Sequence, residues 1–193
     1  RTLFILLAAA VLVAAGCSRT RTVERIDSTT QTDLSGRWND TDSRLVAEEM
    51  IRDSLSRPWL TNFIASGGKM PTVLVGEVKN KTHELIATDT FIRDMEREYV
   101  NSGKVRVVQG GDFREAIRTE RADQQEFASP QTVKKWGQEL GADFIIQGTI
   151  NSIVDQYQNR KAVFYQIDLE MTNIQTNEKV WIGSKEIKKF ITN

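Results

Sequence analysis

With 193 residues, 39% of them apolar, the chain is long enough for one domain of about 150 residues with its own hydrophobic core. Its 26 basic and 26 acidic side chains cancel to a formal charge of zero, which removes the global field that draws a protein to nucleic acid. One cysteine, Cys17, and one histidine, His83, are too few for a disulfide framework or a cysteine-histidine metal site.

The chain opens on an apolar run, Leu3 to Val13, followed by Ala14, Ala15, Gly16 and Cys17. Small side chains before a cysteine fit the narrow cleft of a signal peptidase, and the thiol can then carry a diacylglycerol through a thioether. Crossing a hydrocarbon core of about 30 Å takes roughly 20 residues, and polar Ser18, Arg19, Thr20 and Arg21 follow at once, so the run is too short for a span. The reading is a bacterial lipoprotein signal over 1–16, a lipidated Cys17 heading a flexible tether over 17–40, and a globular domain over 41–193. The tether is nearly all Ser, Thr, Arg, Asp and Gln, with Val23, Ile26 and Leu34 too sparse to form a buried face. As a random coil it averages about 25 Å end to end, which keeps the domain near its membrane.

Asp42 is the expected cap of a helix over Ser43 to Ser56, with Val46, Met50, Ile51 and Leu55 on one face. Pro58 opens a second helix carrying Trp59, Leu60, Phe63 and Ile64, and Gly67 and Gly68 stop it. A strand over Thr72 to Val78 leads into a loop holding Asn80, Lys81 and Thr82. A helix follows from Thr88 to Asn101, with Phe91, Ile92, Met95 and Tyr99 inward and Gly103 as its stop. Val105 to Val108 reads as a short strand, and Asp112 to about Arg121 as a helix with Phe113, Ala116 and Ile117 on its inner side. Ser129 before Pro130 starts another helix, in which Val133, Trp136 and Leu140 face the core until Gly141.

The period then changes from helical to alternating. Phe144 to Ser152 is a strand, and Val163, Tyr165, Ile167, Leu169 and Met171 alternate with polar or outward residues, as in an antiparallel sheet with one buried face. Gln175 to Glu178 makes a hairpin turn into a strand from Lys179 to about Phe190. Val180 and Ile182 are expected inward, with Lys185, Glu186, Lys188 and Lys189 at an exposed end. The fold class is therefore α+β: a small mixed sheet flanked by helices and closed by a C-terminal antiparallel meander.

Catalytic constellations fail at the inventory stage. A Ser-His-Asp triad would need His83, which sits in a polar loop, and neither Gly67-Gly68 nor Gly110-Gly111 has phosphate-loop spacing. Asp94, Glu96 and Glu98 are two residues apart, so successive carboxylates point about 200° apart around a helix and do not converge. No cofactor, metal or small-molecule substrate is expected. What remains is a protein-contact surface: the loop Asn80 to Thr88, the segment Arg118 to Glu126 with Arg121, and the tip Asp155 to Lys161 with Tyr157.

The run TVLVGEVKNKTHE, then GADFIIQGTINSIVD, the alternating VFYQIDLEM and the closing NEKVWIGSKEIKK together resemble the LpoB family of outer-membrane lipoproteins that activate penicillin-binding proteins. The resemblance spans about Thr72 to Lys189. Its marks are Asn80-Lys81-Thr82 after a strand, Gly141-Ala142-Asp143 before one, and Val180-Trp181 after a turn with Asn177-Glu178. It implies a non-enzymatic regulator, anchored at the periplasmic face of the outer membrane, that docks on a bifunctional peptidoglycan synthase and stimulates it, with Asn80, Lys81, Thr82, Arg121 and Tyr157 as candidate contacts. The best-known members carry a long proline-rich tether; here Pro58, Pro71 and Pro130 are the only prolines and all lie beyond residue 40. A second resemblance, to the periplasmic domain of the curli-secretion channel CsgG, implies an accessory lipoprotein of a secretion or envelope assembly. The chain has no spare strands of about 9 to 11 residues with which to line a barrel.

Overall fold

Asn39, three residues ahead of the expected cap, begins the first helix. Its side chain accepts from the Asp42 backbone N–H while the Asp42 carboxylate accepts from the Asn39 N–H, so Asp42 is the inner half of a reciprocal capping box. Helix α1 accordingly spans Asp40–Ser56. The structure, a computed structural model, describes residues 21–127 and 139–192.

Pro58 supplies the first turn of α2 (Pro58–Gly67), where its missing N–H costs nothing, and Gly68 ends it at φ +62°, a left-handed conformation that a Cβ disfavours. Strand β1 covers Thr72–Asn80 and α3 covers Thr88–Ser102, closed by Gly103 at φ +64°. Then come β2 (Arg106–Val108), α4 (Gly111–Phe127), β3 (Phe144–Tyr157), β4 (Arg160–Asn173) and β5 (Lys179–Thr192). The five strands form one sheet in the order β2-β1-β3-β4-β5. β1 runs parallel to β2 and β3, and β3, β4 and β5 are mutually antiparallel. This is the mixed α+β architecture expected from the sequence.

One face of the sheet holds the core. Val163, Tyr165, Ile167, Leu169 and Met171 of β4 are all at most 1% exposed and meet Val46, Met50 and Ile51 of α1, Trp59 and Leu60 of α2, and Phe91, Met95 and Tyr99 of α3 in one cluster. Each large side chain removed from water contributes about 2 kcal/mol, which is how a chain without disulfides holds together. α1 packs on α3 and β5, and α3 on β1 and β2. Trp59 and Phe63 both present edges to the Phe144 ring, with centroids 5.0 and 5.1 Å away.

Several expectations are corrected. The helix after Gly110 extends to Phe127, so Arg118 to Glu126 is helical surface; Phe113 and Ile117 are 61% and 43% exposed, and Ala116 is exposed too. Helical periodicity shows that residues share a stripe, but not that anything packs on it. Phe113 instead lies under the Arg93 guanidinium, 4.4 Å from its ring centroid. The helix expected from Ser129 falls largely outside the described residues, and its last inward residue, Leu140, is 50% exposed.

On β5, Val180 is half-buried against the core as expected, but Ile182 points outward. The β4–β5 register slips between Met171 and Thr172, which makes Val180 an extra residue, turns Trp181 inward opposite Met171 and sends Ile182 outward opposite Glu170. The parity set by Trp181 then carries Lys185 and Lys189 to the inner side. Lys189, expected in an exposed end, has a side chain only 9% exposed.

The folded unit begins at Gln31, taking in residues that the sequence reading leaves to the tether. Asp33 pairs with Lys189, and the Trp38 ring meets Phe91 and Tyr165 edge-on at 6.2 and 5.7 Å. The separate unit before it is described from residue 21, and in it Asp27 accepts from the Thr29 amide and hydroxyl.

Candidate functional site

The end of β1 and the loop after it are built by the residues that the sequence singles out, Asn80 being the last residue of the strand and not, as expected, part of the loop. Asn80 Oδ1 accepts from the Thr82 amide at 2.9 Å, and Asn80 Nδ2 donates to Glu84 O at 2.7 Å, closing the turn from both sides. The Thr82 hydroxyl lies 2.7 Å from Asn80 Oδ1 and 3.1 Å from Glu84 O, and it accepts from the Glu84 amide. Lys81 N donates to Ile150 O at 2.8 Å, tying the loop to β3, while its side chain is exposed. His83 is half exposed, with Nδ1 3.0 Å from Ser152 Oγ.

Glu84 is the residue that sequence reasoning missed. Its carboxylate accepts from Tyr165 OH at 2.8 Å and from the Trp38 amide at 3.2 Å, fastening loop, sheet and the segment before α1 at one point. Burial and the adjacent carboxylate both push the Tyr165 phenol well above its usual range, so it stays a donor. Nothing local signals this role, because the two partners are 81 and 46 residues away. Rigidly held, the loop displays Lys81 and the fully exposed Leu85.

Tyr157 sits at the tip of the β3–β4 hairpin, 74% exposed. Asn80 pairs with Ile150, the last β3 residue with a β1 partner, so the seven residues to Tyr157 project past β1 by about 24 Å. Arg121 belongs to another part of the molecule. Its guanidinium lies 3.3 Å from Glu139, which Arg118 grips in two-pronged fashion at 2.9 and 3.0 Å. The hydrogen bond from Arg118 holds the Glu139 carboxyl below its usual range. The structure therefore brings Asn80, Lys81 and Thr82 together, sets Tyr157 beyond them, and leaves Arg121 apart. Cys17 lies outside the described residues.

Other charged groups are paired with one another around α1. A groove of about 530 Å³ between α1 and β5 is lined by Glu49, Asp53, Arg57, Trp181 and Lys185. Asp53 accepts from Arg57 and from Trp181 Nε1, at 2.8 Å for the indole, and Lys185 is paired with Glu49. The Arg57 bond holds the Asp53 carboxyl low, so this carboxylate is already engaged by a guanidinium and an indole. At the other end of α1, Lys189 Nζ donates to Asp33 Oδ1 and Asp42 Oδ2 at 2.6 Å each and to Arg37 O at 3.1 Å. Burial raises the Asp42 pKa against the pull of Lys189. For Lys189 itself burial acts downward, but the two carboxylates outweigh it and raise the pKa. Among the described residues no group of His, Cys, Asp and Glu is arranged to hold a metal ion, and no helix is long and apolar enough to cross a membrane.

Curated proteins give no match. Similar solved structures include the LpoB C-terminal domain from Salmonella enterica, at 17% identity over 68% of this chain and 94% of that one with a TM-score of 0.38. The LpoB C-terminal domain from Escherichia coli gives 19%, 68%, 94% and 0.38, and lipoprotein GNA1162 from Neisseria meningitidis gives 13%, 62%, 83% and 0.42. The family profile described as peptidoglycan-synthase activator LpoB matches residues 42–187, from the first turn of α1 into β5. The chain thus belongs to the LpoB family of peptidoglycan-synthase activators.

Proposed function

We propose that the chain is a lipid-anchored, non-catalytic regulator at the periplasmic face of the outer membrane, which binds a bifunctional penicillin-binding protein and activates it. The observation that supports this is the family match over residues 42–187, which takes in strands β1 to β4, most of β5 and nearly all of the helices packed on the sheet's core face. Acylation of Cys17 supplies the anchor. Activation needs no chemistry from the regulator: tighter binding to the active conformation of the synthase shifts its population by the ratio of the two affinities.

Contact is assigned to Lys81 and Leu85, with Asn80 and Thr82 as positioning residues that hold the loop in shape. A rigid loop loses little conformational freedom on docking, so its exposed side chains contribute more of their gross interaction to affinity. Arg121 is occupied by Glu139 and makes no direct contact in this reading. The test is binding of the lipidated full-length chain to a purified bifunctional penicillin-binding protein. Lys81→Ala with Leu85→Ala is expected to weaken binding about tenfold and Arg121→Ala to leave it unchanged. No binding by the wild-type chain would remove the reading.

A further inference from the structure

We infer that the projecting β3–β4 hairpin and the adjoining end of β5 form a second membrane contact, laid against the anionic bilayer to which Cys17 ties the chain; the inference depends on the anchoring proposed above. The strand register puts the relevant side chains on one face. Ile153 of β3 is opposite Phe164 of β4, which is opposite Lys188 of β5; the next rows out are Asp155, Ala162 and Phe190, then Tyr157, Arg160 and Thr192. This is the face away from the core, since the alternate residues Val163 and Tyr165 are fully buried on the other side. Ile153, Tyr157 and Phe190 are 67%, 74% and 69% exposed.

Aliphatic and aromatic side chains on all three strands, with Arg160 next to Tyr157 and Lys188 next to Phe164, suit the headgroup region of a bilayer. There aromatic rings sit at the polar boundary while long cationic side chains reach back to lipid phosphates. Asp155 and Glu186 share this face and limit its positive charge, so apolar contact carries the interaction and the two cations orient it.

The course of the chain argues for lipid as the occupant. The folded unit starts at Gln31, beside Lys185 and Ile187; Asp33 then reaches Lys189, and Gly36 lies against Ile191. The segment thus follows the same stretch of β5 whose opposite side carries Lys188 and Phe190, about 10 to 17 Å from where the tether departs. Only the thirteen residues Ser18 to Thr30 separate Gln31 from the acylated cysteine. Fully extended they reach about 45 Å, and as a relaxed coil about 20 Å. An apolar patch held that close to a bilayer meets lipid at a high effective concentration.

The experiment uses the lipidated full-length chain carrying Tyr157→Cys and a polarity-sensitive NBD group on that thiol, Cys17 being blocked by its acyl glycerol. It is reconstituted in vesicles of phosphatidylethanolamine and phosphatidylglycerol, beside a chain labelled through Gln147→Cys, exposed on the same face near the start of β3. The expected result is at least a twofold rise in emission at position 157, quenched by lipids with a nitroxide high on the acyl chain, and no change at 147. Adding Ile153→Asp and Phe190→Asp is expected to abolish the quenching. Chains that float with the vesicles without nitroxide quenching at 157 overturn the inference, and so does a rise in emission without such quenching, which would mark cover by protein or by a second copy. Failure to float removes the anchor at Cys17 itself, and the inference with it.

Discussion

Lys189→Met removes the cation at the junction of α1, β5 and the segment that precedes α1. All three ammonium protons are used in the native chain, on Asp33, Asp42 and the Arg37 carbonyl. Methionine fills a similar volume but leaves the Asp42 carboxylate, with a side chain 9% exposed, supported among the described residues by the Asn39 amide alone. Breaking a buried pair on one side costs about 3 kcal/mol, since the remaining charge stays desolvated. For a unit of this size that lowers Tm by about 6 to 12 °C. The assay is thermal and urea unfolding followed by circular dichroism at neutral pH. Asp42→Asn in the same chain should recover most of the loss, because it removes the orphaned charge while keeping an oxygen for the Asn39 amide. A loss below about 1 kcal/mol, or no recovery in the double variant, would refute the reasoning. The pH dependence has a definite sign. Lys189 has a raised pKa, so its contribution is complete below the unfolded lysine value of about 10.4 and is lost as pH climbs through the folded value. In acid the two carboxylates oppose each other. Asp33, lowered by Lys189, stabilises above about pH 4 and loses that as pH falls, whereas buried Asp42, raised, is a cost at neutral pH that protonation relieves. Wild-type stability should therefore drop more steeply above about pH 10.4 than the Lys189→Met variant does, which titration of the urea midpoint checks.

Thr41 is 3% exposed and its hydroxyl has no hydrogen-bond partner among the described residues, so Thr41→Val is expected to stabilise the domain by about 1 kcal/mol in urea unfolding. Gly148 sits where a Cβ would run into the Asp168 carbonyl oxygen of β4; Gly148→Ala should cost about 2 kcal/mol or more, read as a lower urea midpoint. Trp38→Ala removes the ring against Phe91 and Tyr165 and its indole bond to Ser43, and about 3 kcal/mol is the expected loss, with faster proteolysis of residues 31–39 as a second readout. Glu84→Ala frees the loop displaying Lys81, and synthase binding should weaken more than stability loss explains, measured well below the variant's Tm.

The elements most legible in the sequence were those whose signal is local. Gly68 and Gly103 stop their helices because both sit at positive φ, and the alternation from Val163 to Met171 identifies a strand because one face of β4 is wholly buried. Asn39 and Asp42 are both good caps three residues apart, and only their reciprocal bonding decides which starts the helix. Lys189 is expected in solvent because a lysine usually is exposed. The one-residue slip at Val180 reverses the parity of all of β5, and counting from Trp181 would have put Lys189 inside. The loop at Asn80 was legible from its turn chemistry, but the anchor that holds it, Glu84, depends on Tyr165 and Trp38 and exists only in three dimensions.

The most direct test of the central claim is the rate at which a purified bifunctional penicillin-binding protein polymerises glycan strands from lipid-linked precursor, with and without the lipidated full-length chain. The account expects the rate to rise severalfold and saturate at one chain per synthase, with the gain reduced by Lys81→Ala and Leu85→Ala together. An unchanged rate at saturating concentration, with both proteins folded and in the same vesicles, would contradict it.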